Sequence, residues 1–168
     1  MKKKLNKEAD DRLNRTISFF VRGEPKAQPR PKAFARKFGS KWSARVYDPG
    51  TAENWKSQIA IAAKELFPAT PTEDPICLEL DFKLPRPKSH HNSKGHLKDS
   101  APVYHTNKPD TDNLEKAVMD ALTQLGAWRD DSQVCIKRTT KLYVSDGFVG
   151  CCVLIQTLSH HQSLDTPP

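Results

Sequence analysis

The feature that most constrains the fold of this chain is an amphipathic helix with a pair of aspartates at each end. Apolar residues recur at positions i, i+3, i+4 and i+7 between Leu114 and Leu125, which predicts a helix over about residues 112–125. Gly126 follows it as a C-terminal cap. The helix therefore determines where four carboxylates can lie. The two pairs are Asp110 and Asp112 before the helix and Asp130 and Asp131 after it.

Predicted strands and a second helix surround this amphipathic helix. The other helix begins after Thr51 and ends before Pro68. Ser145-Asp146-Gly147 is typical of a tight hairpin turn between the last two strands. The strands are predicted at residues 17–21, 76–84, 134–144 and 148–158, the last of them in a central position. Together these segments predict one α/β (α+β) domain over 16–158, with a small mixed sheet of about four to five strands and two main helices, a flexible basic arm at 1–15 and a loose tail at 159–168.

The chain is basic, and its formal net charge of +7 is concentrated in one segment. Residues 22–45 hold eight Lys and Arg side chains against one acid, Glu24. Such a segment is expected to lie on a surface as extended chain or a short hairpin. It is expected to contact a polyanionic partner, which can be DNA, RNA or, least favoured, an anionic membrane surface. Phe34, Phe38 and Trp42, which lie among these charges, either stack on unpaired bases or belong to the core. The candidates for contacts with nucleic-acid phosphates are Arg22, Lys26, Arg30, Lys32, Arg36, Lys37, Lys41 and Arg45.

Neither a membrane partner nor a thiolate metal site is expected from this sequence. No apolar run approaches the ~20 residues that a membrane span needs, and the N-terminus lacks the apolar stretch of a signal peptide. Cys77, Cys135, Cys151 and Cys152 form no Cys-x-x-Cys pair, and all four lie in predicted strands, where a free thiol acts as a small buried hydrophobe. These features predict a reduced, cytoplasmic protein.

The first aspartate pair suggests a divalent metal site. Asp110 and Asp112 are two residues apart in a segment that enters a helix, so their side chains point to the same side. Two carboxylates ~4 Å apart repel by about 4 kcal/mol at an effective dielectric of about 20, so a group of them binds a cation or takes up protons. Carboxylate oxygens favour Mg²⁺, with Mn²⁺ as a substitute, over zinc. Lys116, one turn after Asp112, could then stabilise charge that develops on a phosphate.

The second pair can join this group only if the helix and the following strand fold back on each other, which a short connection permits. Simpler roles stay open for all four acids. Asp110 or Asp112 can cap the helix, and the second pair can form an ordinary turn. Asp120, one turn beyond Lys116, is expected to be its solvated partner.

Residues 85–107 form a long basic segment that is poor in apolar residues. A connection of this length is often functional or disordered. It contains His90, His91, His96 and His105, none of which is expected to bind a metal. The sequence does not assign the segment a role.

Two motifs resemble those of the RusA family of Holliday-junction resolvases, which are crossover-junction endodeoxyribonucleases of bacteria and their prophages. The first is D-x-D-N-x-x-K, from Asp110 to Lys116, and the second is W-x-D-D-x-Q-V, from Trp128 to Val134. The resemblance covers residues 16–158 in order. Further similarity lies at Gly23-Glu24-Pro25, at Pro29-Arg30-Pro31 and at Arg45-Val46-Tyr47-Asp48-Pro49.

The resemblance implies a small α/β homodimer that cuts four-way DNA junctions with Mg²⁺. It implies that Asp110, Asp112 and Asp131 are the essential acids. Lys116 then corresponds to the motif lysine, and Asp130 is an auxiliary ligand. A homodimer also suits the substrate, because a four-way junction has approximate two-fold symmetry and needs two opposed nicks. The arm, the 85–107 segment and the tail depart from the family.

Three functions are consistent with these features. The first is a metal-dependent endonuclease that resolves four-way junctions by paired symmetric nicks in DNA recombination and repair. The second is a nuclease with a broader range of branched substrates, such as flaps and forks. The third is a non-catalytic protein that binds branched DNA. The acids and Lys116 argue against the third, because a pure binder gains nothing from carboxylates beside phosphates.

Overall fold

The computed structural model describes residues 15–29, 32–39, 41–47, 50–144 and 147–158. The predicted tail and, apart from Arg15, the predicted arm lie outside these ranges. The fold consists of six strands and two α-helices within the described ranges. The strands are β1 (Thr16–Arg22), β2 (Lys32–Phe38), β3 (Lys41–Tyr47), β4 (Ile76–Pro85), β5 (Val134–Val144) and β6 (Gly150–Thr157), and the helices are α1 (Glu53–Ala63) and α2 (Thr111–Leu125).

Four strands form one mixed sheet, in the order β1-β6-β4-β5. β4 and β5 run parallel, whereas β1–β6 and β4–β6 are antiparallel pairs. The predicted α+β fold with a small mixed sheet and two main helices is therefore confirmed. The central position predicted for the last strand is also confirmed, because β6 lies between β1 and β4.

The predicted hairpin between the last two strands is wrong. β5 and β6 do not pair with each other, because β4 lies between them and bonds to both. β5 and β6 therefore lie on opposite sides of β4, and of the predicted turn residues only Gly147 is among those described. β4 explains this arrangement, since its apolar residues from Ile76 to Leu84 are buried and a hairpin would have left this strand at the sheet edge.

The core lies between the two helices and one face of the sheet. The predicted stripe of α2 is buried, with Leu114, Ala117, Val118 and Leu122 fully inaccessible. α1 packs beside α2 through Trp55 and Ile59. Within the described residues, no helix has the length and apolar character needed to cross a membrane. The sheet contributes Val21, Ile76, Leu78, Leu80, Phe82, Cys151, Val153 and Ile155 to this core.

The basic segment after β1 contains a separate two-stranded element. β2 and β3 pair antiparallel in a hairpin whose register runs from Lys32 opposite Tyr47 to Phe38 opposite Lys41. The expectation of a short hairpin is therefore confirmed. Phe34, Phe38 and Trp42 were predicted either to stack on bases or to join the core. Their side chains lie outside the described part of this hairpin.

The four cysteines are free, but they are not all buried as predicted. Cys77 and Cys151 are buried, and burial raises the pKa of both thiols. Cys152 is half-buried, and Cys135 is exposed because it lies on β5, the edge strand. The expectation failed for Cys135 because the strand pattern does not reveal which strand lies at the edge of a sheet.

Candidate active site

The first aspartate pair lies at the start of α2, in the position that the sequence predicts. Asp110 is the N-cap residue, and its backbone oxygen accepts a bond of 3.2 Å from the Leu114 amide. Its carboxylate makes no capping hydrogen bond, so the simple capping role left open for Asp110 is not what this structure shows. Asp112 follows in the first turn, and both side chains are exposed. A macromolecule can therefore reach both carboxylates.

Asp110 borders an open cleft of about 480 Å³ beside the N-terminal end of α2. The Gln28 amide donates to the backbone oxygen of Asn113 at 2.8 Å, which ties the segment after β1 to the first turn of α2. On the other side, the Lys141 ammonium of β5 donates to the backbone oxygens of Asn107 and Pro109 at 2.9 and 2.7 Å. The approach to Asp110 is thereby fixed from two sides. The cleft is lined by Ala27, Gln28, Pro29, Thr51, Lys108, Pro109, Asp110 and Asn113.

Lys116 is exposed one turn along α2 and pairs with Asp120, as predicted, at 3.1 Å. The other oxygen of Asp120 lies 3.6 Å from the ammonium of Lys56 on α1, whose side chain is only 10% exposed. Lys56 also pairs with Glu53 at 3.5 Å. Asp120 is therefore held between two lysines rather than by solvent alone.

Lys56 was not among the residues predicted from the sequence, although the sequence contained a signal for it. With Ala52, Ile59 and Ala63 it falls on the buried stripe of α1, where a charge requires a partner. A lysine on the apolar face of a predicted helix thus indicated an ion pair with a neighbouring element. The partner could not be identified before α1 and α2 were placed side by side.

The second aspartate pair forms a capped turn after α2. Asp130 caps the 3₁₀ turn Asp131–Gln133 by accepting a bond of 2.9 Å from the Ser132 amide, and hydrogen bonds from Ser132 lower the pKa of Asp130. The Gln133 side-chain oxygen accepts from the amides of Arg129 and Asp130 at 2.9 Å each. Asp131 is exposed, and its carboxylate is not part of this capping box. Asp130 therefore stabilises the turn, whereas the Asp131 carboxylate is exposed and not used by the cap.

The rest of the second motif anchors this turn to the end of α2. Trp128 is buried, and its indole N–H donates to the Thr123 hydroxyl at 2.8 Å. The Gln133 amide group donates to the backbone oxygens of Thr72 and Asp74 at 3.0 Å each. These bonds hold Asp131 beside the C-terminal end of the helix.

The structure does not bring the two pairs together within one chain. Asp112 lies in the first turn of α2, whereas the turn that contains Asp131 follows the last turn of this helix. The 13 residue steps from Asp112 to Leu125, at about 1.5 Å each, correspond to about 20 Å along the helix. Among the residues that the structure describes, no three His, Cys, Asp or Glu side chains are grouped so that they could hold a metal ion.

The basic candidates are spread around the cleft and the β2–β3 hairpin. Arg22 ends β1 with its guanidinium 5.6 Å from the centre of the Phe148 ring. Lys26 lies beside the cleft residues and pairs with Glu24 at 2.9 Å. Lys37 and Lys41 are exposed on the hairpin. Four candidates have side chains outside the described part of the chain: Arg30, Lys32, Arg36 and Arg45.

Comparison with known proteins places these features in a family. The profile of the family described as endodeoxyribonuclease RusA matches residues 22–150. The uncharacterized protein YqaN of Bacillus subtilis (strain 168) is 35% identical over 129 residues, which are 76% of this chain and 87% of YqaN. The crossover junction endodeoxyribonuclease RusA of Escherichia coli (strain K12) is 53% identical over 38 residues, which are 23% of this chain and 32% of that protein.

The crossover junction endodeoxyribonuclease of Enterobacteria phage 82 matches with the same identity and the same shares of both chains. The similarity to the two named nucleases is thus high but confined to about a third of their length. The family profile, by contrast, spans more than half of the sequence, and YqaN is matched over most of both chains. The chain therefore belongs to the RusA endodeoxyribonuclease family.

Proposed function

We propose that this protein is a Mg²⁺-dependent, structure-selective endonuclease that resolves four-way DNA junctions by paired symmetric nicks. The observation that carries the proposal is the pair of exposed carboxylates at the start of α2, Asp110 and Asp112, of which Asp110 borders a cleft. Membership of an endodeoxyribonuclease family supports DNA as the substrate. We assign the activity to recombination and repair of bacterial or prophage DNA in the cytoplasm.

The proposed metal ligands are Asp110, Asp112 and Asp131. Exposed carboxylate oxygens suit Mg²⁺, and Mn²⁺ as a substitute, because both are hard cations. Asp130 is a weaker candidate and is proposed only as an auxiliary ligand, since its Oδ1 is engaged by the Ser132 amide. When bound, the ion would lower the pKa of a water molecule and neutralise charge on the scissile phosphate. Lys116 would stabilise charge on the same phosphate.

The geometry favours a site that two subunits complete together. Oxygens that share one Mg²⁺ lie about 2.1 Å from the ion, so they cannot be more than about 4 Å apart. The separation of about 20 Å along α2 exceeds this by far. We therefore propose a homodimer in which Asp110 and Asp112 of one subunit meet Asp131 of its partner. A two-fold axis would create two such sites, one for each nick.

A cleavage assay on a synthetic mobile four-way junction, with a flap and a plain duplex of matched length, tests this function. We expect Mg²⁺-dependent, paired and symmetric nicks on the junction and little cleavage of duplex. Equal cleavage of the flap would favour the broader branched-DNA nuclease. Binding of all branched substrates without cleavage in Mg²⁺ or Mn²⁺ would contradict the proposal and favour a non-catalytic binder.

Replacing Lys116 with alanine is expected to lower the single-turnover rate of junction cleavage by roughly tenfold to a hundredfold and to change junction affinity little. The reason is that a charge-stabilising lysine acts on the transition state more than on the bound substrate. Lys64→Ala, which removes an exposed lysine at the end of α1, is the matched control. If the variant bound the junction more weakly but cleaved it at the normal rate, Lys116 would contribute to phosphate binding and not to catalysis.

A further inference from the structure

The segment between β4 and α2 is folded rather than a loose loop. After the 3₁₀ turn Lys88–His90, the chain forms a small hairpin in which the Asn92 amide donates to the backbone oxygen of His96 at 2.9 Å. The Lys98 amide donates to the backbone oxygen of His90 at 3.0 Å, and His91 and Leu97 form an antiparallel bridge between these bonds. We call residues 88–98 the basic hairpin.

The tip of the basic hairpin is held by one side chain. The Asn92 Oδ1 atom accepts bonds of 3.0 Å from the amides of both Lys94 and His96. Gly95, whose φ of +82° favours glycine, donates its amide to the backbone oxygen of Asn92 at 3.0 Å. Lys94 is therefore presented at the tip of a defined turn.

The base of the hairpin is anchored to β5. The Arg86 guanidinium lies 5.2 Å from the centre of the Tyr143 ring and donates to the backbone oxygens of Pro102 and Tyr143 at 2.6 and 3.3 Å. The His90 ring packs edge-on against Tyr143 with 4.9 Å between ring centres. Residues 103–105 then bond along the outer side of β5, through the amides of Tyr143 and His105. These contacts fix where the hairpin projects.

The charged side chains of the basic hairpin are all basic. Residues 88–98 contain three Lys and no acid, and Asp99 follows directly. Arg86 is used as an anchor, whereas Lys88 and Lys94 are exposed and, within the described ranges, neither forms an ion pair. Two exposed ammonium groups on a hydrogen-bonded backbone, with no ion-pair partner among the described residues, are suited to phosphate oxygens.

The hairpin lies at the same end of the sheet as Asp110. The segment that carries the basic hairpin begins at Pro85, where β4 ends. After the hairpin, residues 103–105 pair with the last part of β5, which includes Lys141. Lys141 also bonds to the backbone oxygen of Pro109, directly before Asp110. A DNA strand that reaches the carboxylates at this end would therefore pass close to the basic hairpin.

We propose that the basic hairpin is a contact for the DNA backbone, in which Lys88 and Lys94 hold phosphates of a junction arm beside Asp110. This inference rests on the proposed function. It assigns a DNA-contacting role to a segment outside the basic residues 22–45. The contact is to phosphates, so it adds affinity without sequence preference.

The test is a salt titration of junction affinity with Lys88→Ala/Lys94→Ala, measured in Ca²⁺ or EDTA so that cleavage plays no part. Each lost phosphate contact lowers the slope of log Kd against log salt by about 1, so we expect the slope to fall by about 2. We also expect affinity at moderate salt to fall by about tenfold or more, because two phosphate contacts are lost. Lys88→Arg/Lys94→Arg should restore the wild-type slope, which separates lost charge from lost structure. Lys64→Ala should leave the slope unchanged.

The outcomes separate this inference from the proposed function. A wild-type slope in the double alanine variant, with the wild type binding junctions normally, would overturn the role of the hairpin alone. Failure of the arginine variant to restore the slope would also overturn it, because the effect would then not be one of charge. Failure of the wild type to bind any branched DNA would overturn the proposed function and this inference with it.

Discussion

Asp112→Asn is expected to lower the rate of junction cleavage at least about a hundredfold while junction binding is retained. Asparagine has the shape of aspartate but lacks the negative charge that a Mg²⁺ ligand supplies. Binding is retained or tightened, because removing a carboxylate beside a phosphate removes a repulsion. Among the proposed ligands, Asp112 is chosen because it lies within α2, where helical main-chain hydrogen bonds hold the backbone.

The Asp112 experiment combines three measurements on each variant. Single-turnover cleavage in Mg²⁺ gives the rate, a shift assay in Ca²⁺ gives the affinity, and thermal unfolding gives the stability. We expect a loss of less than about 1 kcal/mol in stability, since an exposed aspartate in a first helical turn contributes about that much through the helix dipole. Glu65→Gln, an exposed carboxylate-to-amide change near the end of α1, is the control. Normal cleavage by Asp112→Asn would show that Asp112 is not a ligand.

Local patterns in the sequence were enough to predict the two helices and the four strands of the main sheet. The apolar stripe from Leu114 to Leu122 predicted α2 within one residue of its observed start, and the alternation from Ile76 to Leu84 predicted β4. Both patterns record burial of one face, which each element requires wherever it is placed. The hairpin after β5 was mispredicted because a turn signal is local, whereas pairing with β4 on both sides is a long-range outcome.

The site could be predicted only in part, for a related reason. The motif residues identified Asp110 and Asp112, and their exposed position at the start of α2 follows from the same helical pattern. The cap made by Asp130 had a signal in its spacing to Gln133, which is that of a capping box. No signal in the sequence indicated which carboxylates Asp131 would meet in the proposed site. If the site is shared between subunits, its assembly depends on an interface that periodicity within one chain does not encode.

Mixed dimers of Asp112→Asn and Asp131→Asn chains are expected to regain nicking activity that neither homodimer has. If each site combines Asp112 of one subunit with Asp131 of the other, the mixed dimer has one site with both changes and one site with neither. The intact site should cut one strand of each junction. If each site lay within one chain, both sites would carry a change and the mixed dimer would be inactive.

A second mixed dimer contains the same two substitutions but carries both of them on one chain, and we expect it to be inactive. A chain that carries both Asp112→Asn and Asp131→Asn is paired with a wild-type chain. Under the shared-site proposal each site then contains one changed ligand, so cleavage is lost. Under a single-chain site the wild-type subunit would remain active. Two affinity tags and tandem purification give each mixed dimer free of homodimers.

Comparison of these two mixed dimers under single-turnover conditions is the most direct measurement of how the carboxylates are assembled. The proposed shared site predicts single-strand nicks from the dimer in which the changes are on different subunits and no cleavage from the dimer in which they are on one. The reverse pattern, or no activity in either mixed dimer while the wild type cleaves, would contradict a metal site built from two subunits.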